Sequence, residues 1–140
     1  MGARYFALIL GIIYLLVGLM GFVPAFLQAP PPDAPNLTLD ALYGYLIGIF
    51  PVNILHTIVH LAVGLWGIIA YRSFDASRTF ARSIAVIFGL LTIMGLIPGL
   101  NTTFGLIPLH GNDVWLHALT TLAAAYFGFV APARRAETVH

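Results

Sequence analysis

The sequence predicts an all-α fold, an integral membrane four-helix bundle built from two direct two-helix repeats that are related by a pseudo-twofold axis along the membrane normal. Of the 140 residues, 60% are hydrophobic and only 8% are charged, whereas a soluble domain carries roughly 25% charged residues. Four apolar stretches are each about 20 residues long, which is the length needed to span a bilayer. The first two stretches also return, in altered form, as the last two.

This composition excludes several classes of protein. A chain with so few charges is a poor candidate for a soluble enzyme or a nucleic-acid-binding protein. It contains no cysteine, which excludes disulfide scaffolds, thiolate zinc sites and iron–sulfur clusters. We therefore expect a lipid bilayer as the main partner and no nucleic acid.

The chain is predicted to form a single transmembrane domain over residues 1–140. Pro51 and Pro108 suit the first turns of the second and fourth helices, because proline is well accommodated there. The helices are predicted at residues 5–27, 51–71, 80–100 and 108–130, with repeat one over 1–71 and repeat two over 79–131.

The segment between the first two helices is predicted to lie outside the lipid. Residues 29–35 read APPPDAP, and so many prolines favour an extended hairpin. Residues 41–49 are predicted to form a short interfacial helix, since Tyr43 and Tyr45 suit the headgroup region.

The repeat is visible as two constant offsets. Phe6-Ala7 returns as Phe80-Ala81, 74 positions later, and the same offset relates residues 20–24 to residues 94–98. Residues 48–53 and His60 return as residues 105–110 and His117, 57 positions later. Each repeat holds two crossings, so both have the same orientation, which predicts a pseudo-twofold axis along the membrane normal.

The basic residues predict the orientation in the membrane. All six are arginines, and an even number of crossings places them on one side, which the positive-inside rule assigns to the cytoplasm together with both termini. Asp33, Asp40 and Asp113 lie on the opposite side. The arginines are Arg4, Arg72, Arg78, Arg82, Arg134 and Arg135.

Two equivalent helices each carry one polar stripe. Asn53, His56 and His60 are spaced i, i+3, i+7, and this spacing places three side chains on one helical face. The equivalent stripe of helix four is formed by His110, Asp113 and His117. Ionisable groups within a membrane segment are expected to face the bundle interior, so the two stripes should face each other.

The stripes predict a metal site between helices two and four, near the outer face. His56 with His60, and Asp113 with His117, are each spaced i, i+4, so each pair can bind one ion from a single helix. Together they would supply three imidazoles and one carboxylate, a ligand set suited to divalent Zn, Fe, Mn or Cu. His110 and Asn53 would be additional ligands or would hydrogen-bond to the ligands.

Two alternatives use the same residues differently. His60 and His117 occupy equivalent positions, so they could be the axial ligands of a haem or could ligate chlorophyll. Alternatively, the histidines join the helices by hydrogen bonds, with His56 and Asp113 as the obvious pair, and the bundle holds no ligand.

The polar segments also resemble a known family. Residues 50–64 (FPVNILHTIVHLAVG) and 105–117 (GLIPLHGNDVWLH) are similar to the small bacterial, notably cyanobacterial, membrane proteins grouped as domain-of-unknown-function family 4383. The resemblance covers nearly the whole chain, and His56, His60, Asp113 and His117 match its polar motif. It implies a four-helix membrane protein in the bacterial plasma membrane or the thylakoid, and it implies no substrate.

The predicted function is therefore binding of a divalent transition metal inside the membrane, where Fe, Mn or Cu would make the site redox-active. No catalytic residues are predicted. The alternative functions are a haem- or chlorophyll-binding protein, an accessory subunit of a photosynthetic or respiratory complex, and a structural bundle. A larger membrane complex or a homo-oligomer would be the protein partner.

Overall fold

A computed structural model describes residues 1–133 and is mostly helical. The described residues do not include Arg134 and Arg135, which are predicted to lie on the cytoplasmic side, nor His140. The elements in chain order are α1 (Gly2–Met20), β1 (Leu27–Gln28), β2 (Gly44–Leu46), β3 (Phe50–Val52), α2 (Ile54–Ala70), α3 (Phe74–Leu96) and α4 (Asn112–Ala125), which continues as a π-helix over Tyr126–Val130.

The first helix is shorter than predicted. α1 ends at Met20 rather than at residue 27, because Val23 is extended ahead of Pro24 and the residue before a proline disfavours the helical conformation. Pro24–Phe26 then form one turn of 3₁₀-helix, which leads into β1.

The third helix begins earlier than predicted. It begins at Phe74, not at residue 80, and ends at Leu96. The Ser73 hydroxyl caps the helix by accepting a hydrogen bond from the Ala76 N–H at 3.1 Å. The negative charge of Asp75, in the first turn, interacts favourably with the positive end of the helix dipole. Arg78 therefore lies on a helix instead of in a loop.

The predicted interfacial helix over residues 41–49 is wrong, and the all-α prediction omitted a small sheet. β1, β2 and β3 form a three-stranded antiparallel sheet in that order. Pro51 lies in β3, opposite Tyr45, because an edge strand tolerates a residue that has no N–H to donate. The predicted helical first turns at Pro51 and Pro108 are also wrong, since α2 begins at Ile54 and α4 at Asn112.

Three of the helices in residues 1–133 are long and apolar enough to cross a membrane. They are α1, α3 and the continuous helix over residues 112–130, with mean hydropathies of 2.1, 1.8 and 1.2. α2 is also apolar but has only 17 residues. These helices indicate a membrane protein in a lipid bilayer.

The helices pack as two pairs, α1 with α2 and α3 with α4. The core between the pairs includes Tyr14, Phe80, Ile84 and Phe88, all at most 4% exposed. At one end of the bundle, Arg4 donates to the Tyr71 carbonyl at 2.7 Å, and Arg82 donates to the Gly128 carbonyl at 2.8 Å. The polar stripes lie towards the opposite end, beside the sheet.

Candidate metal centre

Asn53 sets the start of α2 and thereby places the first histidines. Its Oδ1 accepts a hydrogen bond from the His56 N–H at 2.9 Å, which is the standard capping role of asparagine. Its Nδ2 donates to the carbonyls of Leu39 at 2.9 Å and Leu106 at 2.7 Å. The Asn53 side chain thus joins α2 to the α1–α2 and α3–α4 connections, and all of its side-chain polar atoms have partners.

Three imidazoles converge between α2 and α4. His56, His60 and His117 each offer one ring nitrogen, and these nitrogens lie within 4.8 Å of one another. The three side chains are at most 3% exposed. The ring centroids of His56 and His60 are 4.3 Å apart, and those of His56 and His117 are 6.0 Å apart. The two helices therefore present their histidines to one small volume, which we call the histidine cluster.

Asp113 lies beside the histidine cluster. Its Oδ2 is 3.6 Å from the Nδ1 of His56, and the side chain is 1% exposed. It is not one of the three residues whose ligand atoms converge. The carboxylate is therefore adjacent to His56. It can orient that ring, or it can add an oxygen as the fourth ligand beside the three imidazole nitrogens.

The polar atoms of this region lack hydrogen-bond partners. Within residues 1–133, both ring nitrogens of His60, both carboxylate oxygens of Asp113, and the Nδ1 atoms of His56 and His117 are buried without a partner. A buried polar atom without a hydrogen bond costs roughly 1–3 kcal/mol, and native proteins contain few of them. Six such atoms therefore lie together in this region with no hydrogen bond to the described part of the chain.

The two additional candidate ligands, Asn53 and His110, lie outside the histidine cluster. The capping hydrogen bonds of Asn53 occupy its amide, so it supports α2 and is not placed as a ligand. His110 precedes α4, in the loop, where its Nε2 lies 3.5 Å from the Tyr43 hydroxyl. Burial lowers the pKa of the His110 ring, which favours the neutral form.

Aromatic residues from α1 and α3 complete the surroundings of the histidine cluster, and the two polar stripes of the sequence do not predict them. Tyr14 lies edge-on to His60 with a centroid distance of 5.2 Å, and Phe88 is 5.1 Å from His117. The Tyr14 hydroxyl and the Thr120 hydroxyl share a hydrogen bond of 2.9 Å. Tyr14 and Phe88 are equivalent positions at the offset of 74, a signal that could have identified both.

The comparison with protein families decides the identity of the chain. The family model described as Domain of unknown function (DUF4383) matches residues 4–130. The chain belongs to this family. The resemblance of the polar segments is thereby confirmed. Comparison with the curated proteins and with the solved structures finds no match.

Two cavities flank the histidine cluster of this DUF4383 protein. The first, about 200 Å³ in volume, is lined by Ile13, Tyr14, Val17, Phe50, Val52, His60, Asp113 and Leu116. We call it the Asp113 cavity. The second, the His56 cavity, has about 180 Å³ and is lined by His56, Val59, His60, Ile87, Phe88, Leu91, Ile107, Leu109 and His117. Both cavities include His60, so they meet at the cluster.

Proposed function

We propose that this protein binds a divalent transition metal within the membrane, with His56, His60 and His117 as ligands and Asp113 beside them. The observation that carries the proposal is the convergence of three buried ring nitrogens within 4.8 Å of one another. Three protein ligands and an open position are typical of Zn²⁺ sites that exchange a water or another ligand. Imidazole also suits Fe and Cu, and the Asp113 carboxylate would suit Mn.

The geometry favours an ion over haem or chlorophyll with His60 and His117 as axial ligands. A macrocycle needs a broad flat space between its two ligands, whereas His56 lies against both of these rings, with centroid distances of 4.3 and 6.0 Å. The flanking cavities, about 200 and 180 Å³, are also smaller than the roughly 300–1,000 Å³ of sites for larger ligands.

The ligand-free structural bundle explains the polar atoms less well. Histidines that only join helices should be hydrogen-bonded, because that is how they would stabilise the bundle. His60 has no hydrogen-bond partner on either ring nitrogen within residues 1–133. The contact between His56 and Asp113, at 3.6 Å, is longer than a hydrogen bond.

We further propose that the bundle is an internal duplication with a pseudo-twofold axis along the membrane normal and four crossings. The linings of the two cavities support it. Every α1 residue that lines the Asp113 cavity has a counterpart, 74 positions later, that lines the His56 cavity. The pairs are Ile13 and Ile87, Tyr14 and Phe88, and Val17 and Leu91. At an offset of 57, Phe50 corresponds to Ile107, Val52 to Leu109, Val59 to Leu116, His56 to Asp113 and His60 to His117.

For orientation, we propose that the end of the bundle that carries Arg4, Arg78 and Arg82 faces the cytoplasm, with both termini on that side. The histidine cluster then lies near the outer face. The bacterial plasma membrane or the thylakoid membrane is the proposed location, and a larger membrane complex or a homo-oligomer is the proposed protein assembly.

Metal analysis of the protein purified in detergent tests the function. After dialysis against Zn²⁺ and removal of free metal, we expect about one ion per chain. We expect loss of that ion in His60→Ala and in His117→Ala, and a 10–100-fold weaker affinity in Asp113→Asn, the magnitude typical of residues that support ligands.

His110→Ala is the matched control, since it removes an imidazole that lies in the loop before α4, outside the cluster, and it should retain the metal. A visible absorption spectrum of the same sample separates the alternatives. A Soret band that is present in the wild-type protein and absent from His60→Ala would contradict the metal proposal and support tetrapyrrole binding. If the protein showed neither bound metal nor a Soret band, the metal and tetrapyrrole hypotheses would both be contradicted, and the structural bundle would remain.

A further inference from the structure

We propose that Arg78 and Arg82 bind the phosphate group of an anionic phospholipid in the membrane leaflet at their end of the bundle. We call these two residues the arginine pair. The acyl chains of the lipid would lie along the exposed apolar surface of α3 and of the helix over residues 112–130. The inference goes beyond metal binding and does not depend on it, because the histidine cluster lies towards the opposite end of the bundle.

A single backbone carbonyl holds the arginine pair in place. The Nε of Arg78 donates to the Gly128 carbonyl at 3.0 Å, and the Nε of Arg82 donates to the same oxygen at 2.8 Å. Glycine permits this close contact, because a Cβ at residue 128 would lie 2.9 Å from the backbone nitrogen of Arg82. The two guanidinium groups are therefore close neighbours, and their positive charges repel each other unless an anion lies nearby.

Neither guanidinium group is neutralised by the described part of the chain. An arginine carries five N–H donors, and each member of the pair uses its Nε–H in the contact with Gly128. Within residues 1–133, neither arginine makes a further hydrogen bond or an ion pair with a carboxylate. The Nη groups of both residues thus remain available to a ligand. Guanidinium groups match the oxygens of a phosphate in geometry as well as in charge, so two of them side by side favour a phosphate group.

The arginine pair lies on a face of α3 that is exposed to lipid. Arg82 is exposed and lies about 12 Å along the helix axis from the start of α3 at Phe74. An unpaired charge that faces lipid this far along a membrane-spanning helix is costly, whereas a lipid phosphate would neutralise it. Farther along the same face, Val86 is 58% exposed and Leu90 is 57% exposed. A phosphate bound to the arginines would therefore have an apolar surface beside it, where acyl chains can lie.

The helix over residues 112–130 adds apolar surface on the other side of the arginine pair. The Cζ atom of Arg82 lies 5.4 Å from the centroid of the Phe129 ring, which is 55% exposed. Leu122, on the same helix, is 68% exposed. A soluble anion would gain nothing from these side chains, whereas a phospholipid would contact them with its chains. Basic sites between transmembrane helices are known to bind anionic lipid head groups, so the surroundings favour a lipid as the source of the phosphate.

The first helix pair provides an internal comparison. At the offset of 74, Arg4 corresponds to Arg78, and its Nε donates to the Tyr71 carbonyl at 2.7 Å in the same way. Leu8 stands at the position equivalent to Arg82. The first helix pair therefore has one arginine on its carbonyl where the second has two, and it cannot hold a phosphate between two guanidinium groups.

The experiment measures lipid binding to the full-length, chelator-treated protein in detergent by native mass spectrometry. With dioleoyl phosphatidylglycerol at increasing concentration, we expect one lipid per chain to bind before any other. Phosphatidylcholine with the same acyl chains should bind about tenfold more weakly, because its quaternary ammonium group is repelled by the arginines. Ammonium phosphate, added as a competitor in excess over the lipid, should not displace phosphatidylglycerol.

Substitution of the arginines tests the location. Arg78→Leu and Arg82→Leu should each weaken phosphatidylglycerol binding by at least about tenfold, the loss expected for one charged hydrogen-bonded contact. Arg4→Leu is the matched control, since it removes the same charge and the same kind of carbonyl contact at the same end of the bundle. It should change the affinity by less than about threefold, because a more distant exposed charge is screened. Thermal unfolding of each variant shows that it is folded, and two arginine variants are used in case one is not.

The proposal is overturned if phosphatidylglycerol and phosphatidylcholine bind equally well, or if Arg4→Leu weakens binding as much as Arg78→Leu and Arg82→Leu, which would show that only the net charge matters. Displacement of the lipid by inorganic phosphate would also overturn it, since the site would then take a soluble anion. The protein is metal-free in these measurements and metal content is measured separately, so failure of this proposal is distinguishable from failure of the metal proposal.

Discussion

At the scale of single residues, the roles of the predicted site residues divide by the hydrogen bonds that each one makes. His56, His60 and His117 are buried and their ring nitrogens converge. Asn53 belongs to the same predicted stripe, but its amide is hydrogen-bonded to the backbone at three places. Spacing alone treats these residues alike, whereas the start of α2 at Ile54 makes Asn53 a helix cap.

The role of Asn53 leads to a prediction about stability. Asn53→Ala removes the cap and leaves the Leu39 and Leu106 carbonyls without their donor, so we expect the free energy of unfolding to fall by about 2–4 kcal/mol. The folded fraction should still bind metal. Thermal or denaturant unfolding in detergent, combined with metal analysis, measures both quantities.

Asn112→Ala is the control, because Asn112 also donates from its side chain to a loop carbonyl, that of Ile49 at 3.1 Å, but is exposed. Its effect should be under about 1 kcal/mol. If Asn53→Ala kept full stability and lost the metal, Asn53 would be a ligand and the capping interpretation would fail.

At the scale of the elements, glycines determine how closely α1 approaches α2. A methyl group added at Gly11 would lie 2.8 Å from the Gly64 carbonyl oxygen, and one at Gly64 would meet the backbone of Leu15. Gly64 and Gly67 thus let the two helix backbones approach closely, as small residues do at helix–helix interfaces in membranes. This approach brings Tyr14 on α1 against His60 on α2.

The glycines therefore differ in their tolerance of substitution. Gly64→Ala should destabilise the bundle by about 1–3 kcal/mol, because helix backbones cannot move apart without loss of packing. Gly89→Ala is the matched control on α3, where the nearest atom, the Thr121 methyl carbon, is at 3.4 Å. It should be neutral or stabilising by up to about 1 kcal/mol, since alanine favours helix. Equal losses in unfolding experiments on the two variants would contradict this account.

At the scale of the whole molecule, the histidine cluster joins the two helix pairs. His56 and His60 come from α2, which packs with α1, and His117 comes from α4, which packs with α3. A metal bound by all three would therefore connect the halves of the bundle. The three-stranded sheet and the loop before α4 lie at the same end, where Leu39 donates to the Gly105 carbonyl at 3.0 Å.

This connection predicts that the metal stabilises the fold. A ligand that binds only the folded state at 100 times its dissociation constant adds about 2.7 kcal/mol to the free energy of unfolding. Zn²⁺ should thus raise the melting temperature of the wild-type protein in detergent, and a chelator should reverse the change. Adding Zn²⁺ should leave the melting temperatures of His60→Ala and His117→Ala unchanged. An equal rise in the melting temperatures of those variants would show that the metal binds elsewhere.

The sequence by itself determined that this is a membrane protein, which family it resembles, and which faces of two helices carry His56, His60 and His117. Composition and periodicity are sufficient for these conclusions because burial in lipid and the helical repeat act on each segment locally. The interfacial helix at 41–49 was predicted wrongly because Tyr43 and Tyr45 suit the membrane interface equally well when they belong to a loop or a strand.

Only the tertiary structure decided which of the polar residues meet. The spacing i, i+3, i+7 places side chains on a face but says nothing of the distance to the next helix, which depends on glycine contacts, caps and loop hydrogen bonds far apart in sequence. Those contacts bring His117 to His56 and His60, leave His110 beside Tyr43, and open the Asp113 cavity between α1 and α4. The physical reason is that a helical face is a local property, whereas convergence requires the packing of all four helices.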